Sequence, residues 1–138
     1  MRLSELNDVP LFGNTSFRGA CPVEDIEVIN FMLWVKYQYP KYAPIATHVK
    51  NEGKRSHGQA RRDKNLGLTK GFADVVILTT PPFVLEMKRR DHTKSKIDAD
   101  QVKHLETVIE NGGFACVALG FEAAKTAFLE HIRGNNNG

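Results

Sequence analysis

Cysteine is scarce. The 138 residues hold two, Cys21 and Cys116, far apart and without metal-ligand spacing, so neither a disulfide framework nor a zinc site is expected. Reduced, structural thiols are the expectation. No apolar run reaches the roughly 18 residues needed to span a bilayer, so no membrane helix is expected. The opening stretch, Met-Arg-Leu-Ser-Glu-Leu-Asn-Asp, lacks the apolar segment of a signal peptide. A cytoplasmic protein, in a bacterial or viral-host context, is the expectation. Internal repeats and linkers are missing as well, which leaves one domain with one core.

Charge is present in both signs but unevenly placed. The formal net charge is only +3, yet residues 50–96 carry 12 of the 19 Lys and Arg and 5 of the 16 Asp and Glu. Such an excess draws a polyanion. A solvated charged loop is the plain alternative. Residues 51–70 contain no Phe, Trp or Tyr, so base stacking by aromatic side chains is not expected there.

Within the basic region lies Gly71-Phe72-Ala73-Asp74-Val75-Val76-Ile77-Leu78, a strand pattern, then Thr79-Thr80-Pro81-Pro82, a turn, then Phe83-Val84-Leu85-Glu86-Met87-Lys88, a second strand. Alternation puts Glu86 and Lys88 on one face and Leu85 and Met87 on the other. If the strands pair as a hairpin, Asp74 lies beside Glu86. Two adjacent carboxylates repel unless a proton or cation stands between them. A hard divalent cation is the natural partner, and a lysine beside it suits work on a phosphate. Glu-x-Lys alone says little: Glu52-Gly53-Lys54 repeats it within a loop pattern.

The remaining pattern supplies the frame. Residues 1–21 show no sustained period and are expected to be an irregular arm, with packing on a partner subunit one possibility. Pro22 to Tyr39 is expected as a helix, with Glu24 and Glu27 one turn apart at its start. Acidic residues there are often just dipole partners, and either carboxylate is a candidate third ligand. Ile45 to Val49 is expected as a short strand; His48 within it faces either the site or the core. Ser56 to Leu66 suits a short basic helix ended by Gly67. Ile97 to Asn111 is a helix pattern ended by Gly112-Gly113, with Gln101 on the side of Ile97, placed either to bond a phosphate or water or to rest at the sheet edge. Phe114 to Leu119 suits a buried strand, and Phe121 to Ile132 a helix. Residues 134–138 are expected to be a disordered tail. The sum is an α/β domain over 22–133: a mixed sheet of about four strands flanked by helices, in αβββαβα order.

That order, with Asp74 on the second strand and Glu86-Met87-Lys88 on the third, resembles the PD-(D/E)XK nuclease fold, and more closely its VRR-NUC branch, the virus-type replication-repair nucleases. Four further stretches carry the resemblance. They are Glu24 opening the helix that runs to Trp34 and Tyr39-Pro40, the His48–Ser56 segment, the Gly67–Asp74 segment, and Gln101. The likeness spans residues 22–132. Ala73 departs from it, standing where a proline is usual. The resemblance implies a homodimeric, metal-dependent, structure-selective DNA endonuclease acting on branched DNA such as Holliday junctions. It implies Mg²⁺ or Mn²⁺ on Asp74, Glu86 and the Met87 carbonyl, with Glu24 ligating directly or through water. It also implies that Lys88 positions the attacking water and that Gln101 orients the water or the substrate. Lys54, Arg55, Arg61, Arg62, Lys70, Arg89 and Arg90 are the expected backbone contacts. The rival expectations are a non-catalytic nucleic-acid binding module on the same fold and a subunit-interaction domain.

Overall fold

The computed structural model describes residues 1–50 and 57–136. Four helices and five strands follow one another as β1 (Leu11–Phe12), α1 (Glu24–Gln38), β2 (Ala46–His48), α2 (His57–Asn65), β3 (Val75–Ile77), β4 (Phe83–Lys88), α3 (Ala99–Glu110), β5 (Phe114–Leu119) and α4 (Phe121–Asn136). The strands form one sheet in the order β1-β5-β4-β3-β2. The β2–β3 and β3–β4 pairs are antiparallel, whereas β4–β5 and β5–β1 are parallel.

The two apolar central strands divide the core. Phe83, Leu85 and Met87 of β4, with Val75 and Ile77 of β3, face α1 and α4, where they meet Phe31, Val35 and Phe128. The Phe83 and Phe128 rings meet edge-on at 5.1 Å. Val84 and Val117 face the other way, onto Val102 and Leu105 of α3. Because β4 lies inside the sheet and is covered on both sides, all six of its residues are buried, Glu86 and Lys88 included. Charged groups placed there need partners, and the sheet edge cannot supply them.

Three expectations are corrected. The sheet has five strands, not about four, because residues 1–21 are no separate irregular arm. Leu11 and Phe12 pair with Val117 and Ala118, and Leu6 and Val9 are buried against the α3 layer. This pairing satisfies the outer edge of β5, but a two-residue strand has no period to be recognised by. The tail is also shorter than expected, since α4 continues through Asn136. Finally, α1 begins at Glu24 with Val23 as its N-cap, so Pro22 precedes the helix.

The other boundaries fall close to expectation. The basic helix is α2, ended at Gly67 in the left-handed region (φ +85°). Cys21 and Cys116 are both free thiols. Among the described residues no helix is long and apolar enough to cross a membrane.

Candidate active site

The hairpin register sets the site. Val75 pairs with Leu85 and Val76 with Val84, so Asp74 stands opposite Glu86 at the end of the ladder. The Asp74 carboxylate takes over where β3 stops, its Oδ2 accepting the Met87 N–H at 2.8 Å. Its own carbonyl accepts from Val49 N at 2.7 Å and from His48 Nδ1 at 2.8 Å. His48 therefore does not face the core, and it lies close enough to the Asp74 carboxylate to favour its charge. It is exposed and pins the backbone that carries Asp74.

Glu86 is 2% exposed, and its two oxygens differ. Oε1 accepts Gln101 Nε2 at 2.9 Å and lies 3.4 Å from Lys88 Nζ. Oε2 is buried and receives no N–H donor, and the Glu86 and Asp74 carboxyl groups lie within hydrogen-bonding reach of each other. Gln101 also receives the Asp98 N–H on its Oε1 at 2.9 Å, so the residue that closes the capping box of α3 also orients Glu86. The spacing argument left Gln101 between a site role and the sheet edge; its amide lies on the site carboxylate.

Lys88 donates a hydrogen bond to the Lys96 carbonyl and forms ion pairs with Glu86 Oε1 at 3.4 Å and Glu24 Oε1 at 3.6 Å. Ser95, which sequence reasoning missed, links the same groups. Its hydroxyl accepts the Arg89 N–H at 2.9 Å and lies 3.5 Å from Glu24 Oε2. A lone serine in a basic loop gives no sequence signal.

Electrostatics follow from this crowding. Burial pushes the Glu86 carboxyl well above its ordinary range, the Asp74 charge adds to that, and Lys88 opposes it. Burial also raises Asp74, against the Met87 N–H and Lys88, and it raises Glu24, again against Lys88. With all three carboxylates ionised, one ammonium leaves the cluster two charges short of neutral. The donor set thus fits a divalent cation, and Glu86 Oε2, which receives no N–H donor, fits a ligand atom. Among the described residues no three His, Cys, Asp or Glu side chains are gathered closely enough to hold a metal by themselves. A cation there would take two carboxylates and complete its shell with backbone and water, as Mg²⁺ commonly does.

The two first-helix glutamates differ in their partners. Glu24 reaches Lys88, whereas Glu27 is buried and accepts the Phe121 N–H at 3.0 Å, capping α4. Gly120 precedes that cap at φ +90°, and a β-carbon there would collide with the Glu27 carboxylate.

The expected phosphate contacts divide. Arg61 and Arg62 are exposed on α2, and Lys70 is exposed and 3.4 Å from Asp100. Arg90 is exposed, its guanidinium over the Phe17 ring at 4.1 Å. Arg89 is engaged within the fold: it donates to the Cys21 carbonyl at 2.6 Å and the Pro22 carbonyl at 3.2 Å, just ahead of Glu24. Lys54 and Arg55 lie outside the described residues.

No protein-family model and no curated protein matches this chain. Among solved structures it is similar to a VRR_NUC domain protein, with a TM-score of 0.68 and 21% sequence identity over 85% of this chain and 92% of that one. At that identity the likeness concerns the fold, and the chain has the nuclease-like fold of a VRR-NUC domain.

Proposed function

We propose that this protein is a Mg²⁺- or Mn²⁺-dependent DNA endonuclease selective for branched substrates such as Holliday junctions. The observation that carries the reading is the meeting of Asp74, Glu86, Lys88, Gln101 and Glu24 at one end of the sheet, from four separate segments of the chain. Asp74, Oε2 of Glu86 and the Met87 carbonyl would hold the metal, and Glu24 would contribute through water. A cation bound there would lower the pKa of water and offset charge on the phosphate and leaving oxygen.

The protein's own groups do the rest. Gln101 holds Glu86 Oε1 and so leaves Oε2, buried inside the cluster, as the oxygen for the ligand. Lys88 keeps the carboxylates together without substrate. The Glu24 contact, at 3.6 Å the longest it makes, is the one it gives up to hold the attacking water. Glu24, half-exposed and with its pKa raised, is placed to take a proton from that water. Arg61, Arg62, Lys70 and Arg90 hold the DNA backbone.

A homodimer is part of the reading. The outward face of α1 exposes Ile26, Ile29, Leu33 and Tyr37, at 45, 52, 47 and 74%, in a helical stripe. A two-fold axis along it would place two sites for two strands. The rival, a binding module without cleavage, draws on one observation: Lys88 is already engaged by Glu86, Glu24 and the Lys96 carbonyl.

A labelled four-way junction and its matched duplex, incubated with Mg²⁺, Mn²⁺ or EDTA, separate the two. Metal-dependent junction cutting that is lost in Lys88→Ala supports the nuclease. Tight junction binding without cutting in any metal supports the rival.

A further inference from the structure

Two leucines stand in water beside the basic helix. Leu66 is 74% exposed and Leu68 57%. They are not loosely held. Leu66 N donates to Arg62 O at 2.9 Å, Gly67 N to Lys64 O at 3.0 Å, and Leu68 N to Asp63 O at 2.9 Å. This is a helix C-cap through a left-handed glycine, a motif whose following apolar residue commonly packs back on the helix. Here it does not. Keeping two leucines in water forgoes burial that each would otherwise gain, so the geometry calls for something to cover them.

What covers them is indicated by their neighbours. Arg61, Arg62 and Lys64 on α2 and Lys70 beyond it are exposed and of one sign. The Lys70–Asp100 pair, 86% and 50% exposed, is weak enough to be exchanged for a phosphate. The segment is also tied to the site. Gly71, at φ +79°, lies so close against the Asp100 backbone that no β-carbon fits, and Asp100 precedes the Gln101 that holds Glu86. Leu68 and Asp74 are six positions apart, so the two lie within about 20 Å, or roughly six base-pair steps, even on a fully extended chain.

We propose that Leu66 and Leu68 form an apolar wedge, ringed by phosphate-binding cations, that packs against base faces left unstacked at a DNA branch point. Fully stacked duplex offers no such face without the cost of opening a step, whereas a junction offers one freely. Structure selectivity then resides in the wedge and non-selective affinity in the cations around it. The inference rests on the DNA-cleaving reading above.

The test is binding of the full chain, in EDTA, to a four-way junction carrying 2-aminopurine at the branch and to its matched duplex. It compares the wild type, Leu66→Ser/Leu68→Ser and Arg61→Gln/Arg62→Gln. Expected are a change in 2-aminopurine fluorescence at the branch with wild type that the leucine variant does not give, and about tenfold weaker junction binding by that variant. That variant should bind duplex within about twofold of wild type. The arginine variant should weaken on both DNAs. An unchanged junction preference in the leucine variant overturns the wedge, as does a leucine variant that turns from dimer to monomer in sedimentation. Failure of the wild type to bind either DNA removes the underlying reading instead.

Discussion

The Asp74 carboxylate accepts the Met87 backbone N–H at 2.8 Å, on the residue that separates Glu86 from Lys88. One side chain thus fixes the strand bearing both of its companions. Replacing Asp74 removes a proposed ligand and also opens the end of the hairpin. Asp74→Asn keeps the acceptor oxygen for Met87 and loses the charge. It is expected to fold with near-native stability and to lose cleavage, measured by thermal unfolding beside a strand-scission assay. A stable Asp74→Asn protein that still cuts would overturn the assignment.

Among the described residues Lys88 is the cation paired with both Glu24 and Glu86. Removing one partner of a buried charged group leaves the others uncompensated, which typically costs about 3 kcal/mol or more. Lys88→Ala is therefore expected to unfold at lower denaturant concentration than wild type when metal-free, with part of the loss restored by Mg²⁺ or Mn²⁺. No dependence on metal would argue against a cation site between the carboxylates.

The raised pKa values set a pH dependence. Folding holds a proton on Glu86 that an unfolded glutamate would already have released, so the folded state binds more protons above the ordinary value of 4.5. Stability of the metal-free protein should then fall as pH rises from that value through the raised one. Glu86→Gln should flatten this slope, raise the metal-free Tm at pH 8 by about 2–5 °C, and lose the stabilisation by Mn²⁺. A thermal series over pH 4.5–8.5, with and without Mn²⁺, measures all three; a wild-type profile that rises with pH would contradict the sign.

Glu24 and Glu27 separate cleanly by experiment. Glu27→Ala strips the cap from Phe121 N and is expected to cost about 2 kcal/mol in urea unfolding, with cleavage by the folded fraction retained. Glu24→Ala should do the reverse. Equal effects of both on activity would reopen which glutamate serves the site.

The stripe of Ile26, Ile29, Leu33 and Tyr37 makes a further prediction. A Leu33→Glu protein should sediment as a monomer where the wild type is a dimer. Unchanged sedimentation would move the interface elsewhere.

Much of this site was legible from residue order alone. Alternation in β4 put Glu86 and Lys88 on one face, and the Thr79–Pro82 turn brought Asp74 opposite Glu86. What stayed hidden was contact between distant loops. Nothing in Ser95 or the Lys96 carbonyl marks them as partners of Glu24 and Lys88. Arg89 resembled a phosphate ligand because charge alone does not say whether a guanidinium faces solvent or the carbonyls of Cys21 and Pro22. The two-residue β1 escaped for want of length. For Gln101 the spacing from Ile97 leaves both a site contact and the sheet edge open, Ile97 itself precedes α3, and the double use as cap and carboxylate donor depends on the position of Asp98.

The most direct measurement is single-turnover cleavage of a labelled four-way junction by wild type and Glu86→Gln across a Mn²⁺ titration, quenched with EDTA. The account predicts cutting that saturates with metal in the wild type and is at least about a hundredfold slower in the variant, with junction binding retained. Metal-independent cutting, or equal rates in the two proteins, would contradict it.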